Sequence, residues 1–91
     1  MRVHASVPTA SGSRYLQQLC KHWSHRFAVD FTPEHGTVTL PNGTLRLTAK
    51  ADSLDLELEG EDVERMKAPV AEHLGRFAFR EAPLRYDWVE A

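Results

Sequence analysis

Between Val38 and Leu58 apolar side chains fall on every second residue, in three runs: Val38 and Leu40, then Leu45, Leu47, Ala49 and Ala51, then Leu54, Leu56 and Leu58. A period of two puts all the apolar side chains of a run on one face, the pattern of strands with one buried and one wet side. The runs are parted by Asn42-Gly43 and Asp52-Ser53. Asn-Gly suits a type I′ turn, whose two central residues take positive φ, and Asp-Ser is a weaker two-residue turn. With these dipeptides as loops, Leu40 faces Leu45, Val38 faces Leu47, Ala49 faces Leu56 and Leu47 faces Leu58. The other face then sets Lys50 against Asp55 and Arg46 against Glu59, cross-strand pairs of opposite charge worth ~0.2–1 kcal/mol each. The expectation is an antiparallel meander with an apolar inner face and a solvated outer face of Thr37, Thr39, Arg46, Thr48, Lys50, Asp55 and Glu57.

The flanking segments supply what covers that inner face. Residues 2–8 alternate, with Val3, Ala5 and Val7 on one side, and predict a first strand. Ser11 or Ser13 is placed to cap the helix that follows. Along it Leu16, Leu19, Cys20 and Trp23 form an inward stripe with Tyr15 at the margin, while Arg14, Gln18, His22 and His25 line an adjoining polar flank. Phe27, Val29 and Phe31 predict another strand, closed by a turn over residues 32–36. After Glu61-Asp62, Val63, Met66, Val70, Leu74 and Phe77 recur at helical spacing. Pro69 lies within that stripe, so a kink or two successive helices are expected. Leu84, Tyr86 and Trp88 alternate as a last strand. The order is β-α-β-β-β-β-α-β, an α+β two-layer sandwich with two helices on one face of a mostly antiparallel sheet.

The 91 residues leave room for a single domain over residues 1–91 and one core. A net charge of −2 with mixed signs lacks the basic footprint of a general nucleic-acid binder. The aromatics Phe27, Phe31, Tyr86 and Trp88 fall on the inward parity, so no stacking platform for bases is expected. Cys20 is the only cysteine, which excludes an internal disulfide and a Cys-based zinc motif and fits a reducing compartment. The chain carries no signal-like or membrane-spanning run, and a cytoplasmic, non-membrane location is expected.

Two constellations carry chemistry. His22 and His25 are three residues apart on one flank, and His73 on the second helix can add a third nitrogen, a permissive set for a metal ion although no zincin motif is present. Arg14, Lys21, His22, His25 and Arg26 on the first helix, with His73, Arg76 and Arg80 on the second, form a basic flank suited to an anionic small molecule or an acidic protein surface. Solvated helix flanks and cations offsetting a helix dipole account for the same charges without a ligand. Cys20 lies on the apolar stripe, where a thiol holds little thiolate. Neither a Gly-x-Ser-x-Gly elbow nor a phosphate loop is present.

Three stretches, RYLQQLCKHWSHRF at 14–27, HGTVTLPNGTLRL at 35–47 and HLGRFAFRE at 73–81, resemble the 2218 family of bacterial domains of unknown function. The resemblance runs from about Val3 to Trp88. It implies a small bacterial domain that occurs alone or joined to siderophore-interacting flavin reductases, which release iron from ferric siderophores. Residue by residue it singles out Leu16, Cys20, Lys21, His22 and His25, then His73, Arg76, Phe77 and Arg80, and it brings no catalytic residues. Pro69 stands where an ordinary helix former is expected.

The function expected is an accessory or binding domain connected with siderophore-iron handling. Lys21, His22, His25, His73, Arg76 and Arg80 are the candidate ligand-binding residues, with a siderophore-interacting reductase or an anionic small molecule as partner. A histidine-based metal-binding component of a redox or hydrolytic enzyme, and a protein-interaction module, are the alternatives. Cofactor and metal are left open.

Overall fold

The computed structural model describes residues 1–81 and 83–90. Strands β1 (Arg2–Pro8), β2 (Ala28–Phe31), β3 (His35–Leu40), β4 (Gly43–Ala49), β5 (Ser53–Gly60) and β6 (Val89–Glu90) form one sheet, with helices α1 (Gly12–Trp23) and α2 (Glu64–Phe77) inserted as expected. The sheet order is β2-β3-β4-β5-β1-β6, and every pair is antiparallel. Because β1 pairs with β5 while β2 lies at the far edge, α1 must cross the sheet between them. Its stripe of Tyr15, Leu16, Leu19, Cys20 and Trp23 is buried against the inner face. The paired residues Val3 and Leu58, Ala5 and Leu56, and Val7 and Leu54 are buried on that face. At roughly 1.5–3 kcal/mol for each large apolar side chain taken from water, this layer contact is the main stabilising term. Among the described residues, no helix is long and apolar enough to cross a membrane.

Both hairpins differ from the sequence expectation by two residues of register. Leu40 pairs with Gly43 and Val38 with Leu45, so the loop is Pro41-Asn42 and not Asn42-Gly43. A type I′ turn needs positive φ at both central residues, and among the described residues only Gly43 has one. Proline, with no N–H to give a ladder, is at home in the turn. Gly43 pairs with Gly60 instead, and a β-carbon on Gly43 would stand 2.0 Å from the Glu59 carbonyl oxygen. The second loop is Ala51-Asp52, closed by the Lys50 amide donating to the Ser53 carbonyl at 2.9 Å.

A shift of two preserves strand parity, so the buried face is unchanged. Arg46 now lies opposite Glu57 and Thr48 opposite Asp55. The expected ion pairs survive on the diagonal, with Lys50 to Asp55 at 2.7 Å and Arg46 to Glu59 at 3.0 Å.

Three local expectations are corrected. Ser11 is the α1 N-cap but makes no side-chain cap bond; its amide instead donates to Thr9 Oγ1 at 3.0 Å, and Ser13 Oγ donates to the Pro33 carbonyl at 2.7 Å. Helix α2 runs unbroken from Glu64 to Phe77 with Pro69 inside it, so there are not two helices. Leu84, Tyr86 and Trp88 do pack on the core, but the last strand is only Val89–Glu90, paired with His4 and Val3 of β1. The inward alternation therefore precedes the ladder.

Candidate functional site

The C-terminal half of α1 runs beside α2, and the contact between them is aromatic. The His73 ring lies 5.1 Å from the Trp23 ring and 5.5 Å from that of His22, which also meets Phe77 edge-on at 6.0 Å. His73 Nδ1 lies 2.7 Å from the Pro69 carbonyl oxygen. A carbonyl can only accept, so Nδ1 carries the proton, and in the neutral ring Nε2 is left as the acceptor. Structure thus joins two of the three expected histidines. Among the described residues no group of three or more His, Cys, Asp or Glu side chains is placed to hold a metal ion, and His25, exposed beyond the end of α1, adds no third nitrogen to the pair.

The basic flank is divided in the same way. Arg76 is exposed and ion-paired with Glu72 one turn earlier at 2.9 Å. Lys21 is exposed. Arg80 sits past α2 with its guanidinium 5.7 Å from the Phe79 ring centroid, in a cleft it shares with Arg14 and Gln18. Cys20 is fully buried, and burial pushes its thiol up to about 11, which removes it as a nucleophile at neutral pH.

What His73 borders is an open groove of about 240 Å³, walled by Trp23 at the end of α1 and Phe27 just beyond it, Met66, Pro69 and His73 from α2, and Leu40, Pro41 and Asn42 from the β3–β4 hairpin. Two guanidiniums reach it. Arg65 is engaged by Asp62 at 3.1 Å. Arg26 lies 5.9 Å over the Phe27 ring and has no carboxylate partner among the described residues. Arg26 was legible as part of the basic flank. The hairpin residues were not, because nothing in residues 40–42 announces that the loop meets a helix some two dozen residues later in the chain.

A larger hollow, about 530 Å³, lies on the outer sheet face around His4, Ser6, Arg46, Thr48, Asp55 and Glu57. Its charges already satisfy one another. Arg46 donates to Glu57 at 3.1 Å and to Glu59 at 3.0 Å, Arg2 donates to Glu59 at 3.1 Å, and Asp55 accepts from Ser6 at 2.8 Å and Ser53 at 3.0 Å. Arg46 and Arg2 hold the Glu59 carboxyl below its ordinary value. A surface so neutralised offers a ligand little that its own groups do not already take. The groove beside His73, with aromatic walls and an unpaired guanidinium, is the better candidate despite its smaller volume.

A search of curated proteins finds no match. The fold is similar to the NMR structure of PA4090 from Pseudomonas aeruginosa, with 35% sequence identity, a TM-score of 0.79, and coverage of 97% of this chain and 94% of that one. The model of the family described as "Uncharacterized protein conserved in bacteria (DUF2218)" matches residues 4–89. With the family pattern spanning both helices and all of the meander, the chain belongs to this bacterial family.

Proposed function

We propose that this domain is a binding module that takes a planar, anionic ligand in the groove between the end of α1, α2 and the β3–β4 hairpin, and that the ligand is one arm of an iron-chelating siderophore. The observation that carries the reading is Arg26, a guanidinium with no carboxylate partner among the described residues, at a groove walled by Trp23, Phe27 and His73. Aromatic faces receive a planar ring, and a nearby guanidinium receives its oxyanions. The roughly 240 Å³ groove is below the ~300–1,000 Å³ usual for a whole small-molecule ligand. It suits a single catecholate arm. The association of the family with siderophore-interacting flavin reductases supplies the iron context, and a buried, protonated Cys20 supports binding over nucleophilic chemistry.

The test is an amide and side-chain chemical-shift map of the labelled protein titrated with the gallium tris-catecholate complex, gallium standing in for ferric iron without its paramagnetism. Saturable shifts at Trp23, Arg26, Phe27 and His73 are expected, with Arg26→Gln weakening the affinity about tenfold, or ~1.4 kcal/mol. An unchanged spectrum at millimolar complex removes direct binding and leaves docking to a reductase as the role to pursue.

A further inference from the structure

A second cleft, of about 240 Å³, opens between α1 and the segment after α2, lined by Arg14, Tyr15, Gln18, Phe77, Phe79 and Arg80. It shares no lining residue with the groove beside His73. Arg14 and Arg80 have no carboxylate partner among the described residues. The acid next to Arg80, Glu81, is already engaged: its oxygens accept from Thr9 Oγ1 at 3.0 and 3.1 Å and from the Tyr15 hydroxyl. That link ties the segment carrying Arg80 to α1 and so holds the cleft's two sides together. Phe79 is 69% exposed, an aromatic ring left in water at the edge of the cleft.

We propose that this cleft binds a small aromatic oxyanion. Its phosphate or carboxylate is held by Arg14 and Arg80, whose forked donors match the paired oxygens of either group. The Gln18 amide supplies a further donor. The ring of the ligand covers Phe79, giving that side chain the burial it lacks in the free protein. Two like charges facing one cleft repel, and an anion between them converts that repulsion into attraction.

The whole labelled chain is titrated separately with phenyl phosphate, benzoate, inorganic phosphate and benzyl alcohol, following arginine side-chain and phenylalanine ring resonances. Saturable shifts at Arg14, Gln18, Phe79 and Arg80 are expected with phenyl phosphate or benzoate, and the tighter of the two identifies the anionic group. Arg14→Gln and Arg80→Gln each weaken binding about tenfold or more with the thermal midpoint unchanged, and Phe79→Ala weakens the aromatic anions while leaving inorganic phosphate as it was. Benzyl alcohol binding as tightly as phenyl phosphate, or anion shifts that persist in the double arginine variant, overturns the proposal. So do shifts confined to Trp23, Arg26 and His73, an outcome that leaves the groove intact as a site.

Discussion

The Cys20 sulfur occupies the space in which a side chain on Gly36 would begin: a β-carbon built on Gly36 would stand 2.8 Å from Cys20 Sγ, with Leu16 and Leu47 each at 3.4 Å. Helix α1 lies so close to β3 because Gly36, alone among the inward-facing residues of that strand, has no side chain to hold it off. Gly36→Ala is therefore expected to destabilise by about 1–3 kcal/mol through overpacking. In a Cys20→Ala background the same change costs at least ~1 kcal/mol less, since the two sites share one volume. Urea denaturation of the four proteins measures this, and equal costs in both backgrounds would show that the sulfur is not the obstacle.

Acid should weaken the fold through the outer sheet face. Burial alone would raise the Asp55 carboxyl, but hydrogen bonds from Lys50, Ser6 and Ser53 outweigh it and hold the group below 3.8. Arg46 and Arg2 hold Glu59 below 4.5. Both carboxyls bind protons more readily in the unfolded chain, so their contribution is complete above about pH 4.5 and is lost as pH falls through the depressed values. Urea midpoints at pH 6 and pH 3 read the loss directly. Arg46→Met should make the drop smaller, and an identical drop in that variant would count against the network.

Tyr86 carries a cost. Its hydroxyl is buried with no hydrogen-bond partner among the described residues, and burial pushes the phenol up to about 12. Tyr86→Phe should raise stability by about 1 kcal/mol, the lower end of the penalty for an unpaired buried polar group. The ring's parallel stack on Trp88 at 6.3 Å needs no hydroxyl and should survive. A thermal midpoint lower than that of the parent protein would show that the hydroxyl has a partner after all.

The hydrogen bond to Glu81, with burial and the charge of Glu81 acting in the same direction, raises Tyr15 above 10.0, as burial raises Tyr86. Folded protein thus keeps phenolic protons that the unfolded chain loses, so stability is complete below about pH 10 and falls as pH rises beyond it. Tyrosinate absorbance of the native protein should lag that of the urea-unfolded protein through this range.

Glu81→Ala would leave the buried Thr9 and Tyr15 hydroxyls without their acceptor and is expected to cost about 1–3 kcal/mol. Glu81→Gln, which keeps an acceptor oxygen, should recover part of it. Thermal melts of the two variants decide, and equal midpoints for Glu81→Ala and the parent would remove the link from the account.

Strand and helix faces were determined by the sequence alone. Val3, Val38, Leu45, Leu58, Leu19 and Leu74 are all buried as their spacing requires, because the side on which a residue falls depends only on the local twist of its own backbone. Tertiary structure decided the rest. The hairpin loops settled one residue before Asn42-Gly43 and Asp52-Ser53, shifting the register by two, because the close approach of Gly43 to Gly60 is a relation between strands, invisible within either one. The polar flank of α1 looked continuous, yet the fold sends His22 to His73 and gives Arg14 and Gln18 to Arg80. It leaves Arg76 to its own helix neighbour Glu72. A flank is a property of one helix, whereas a site is made by what the neighbouring element brings, and only the packing of α1 against α2 and the β3–β4 hairpin sets that.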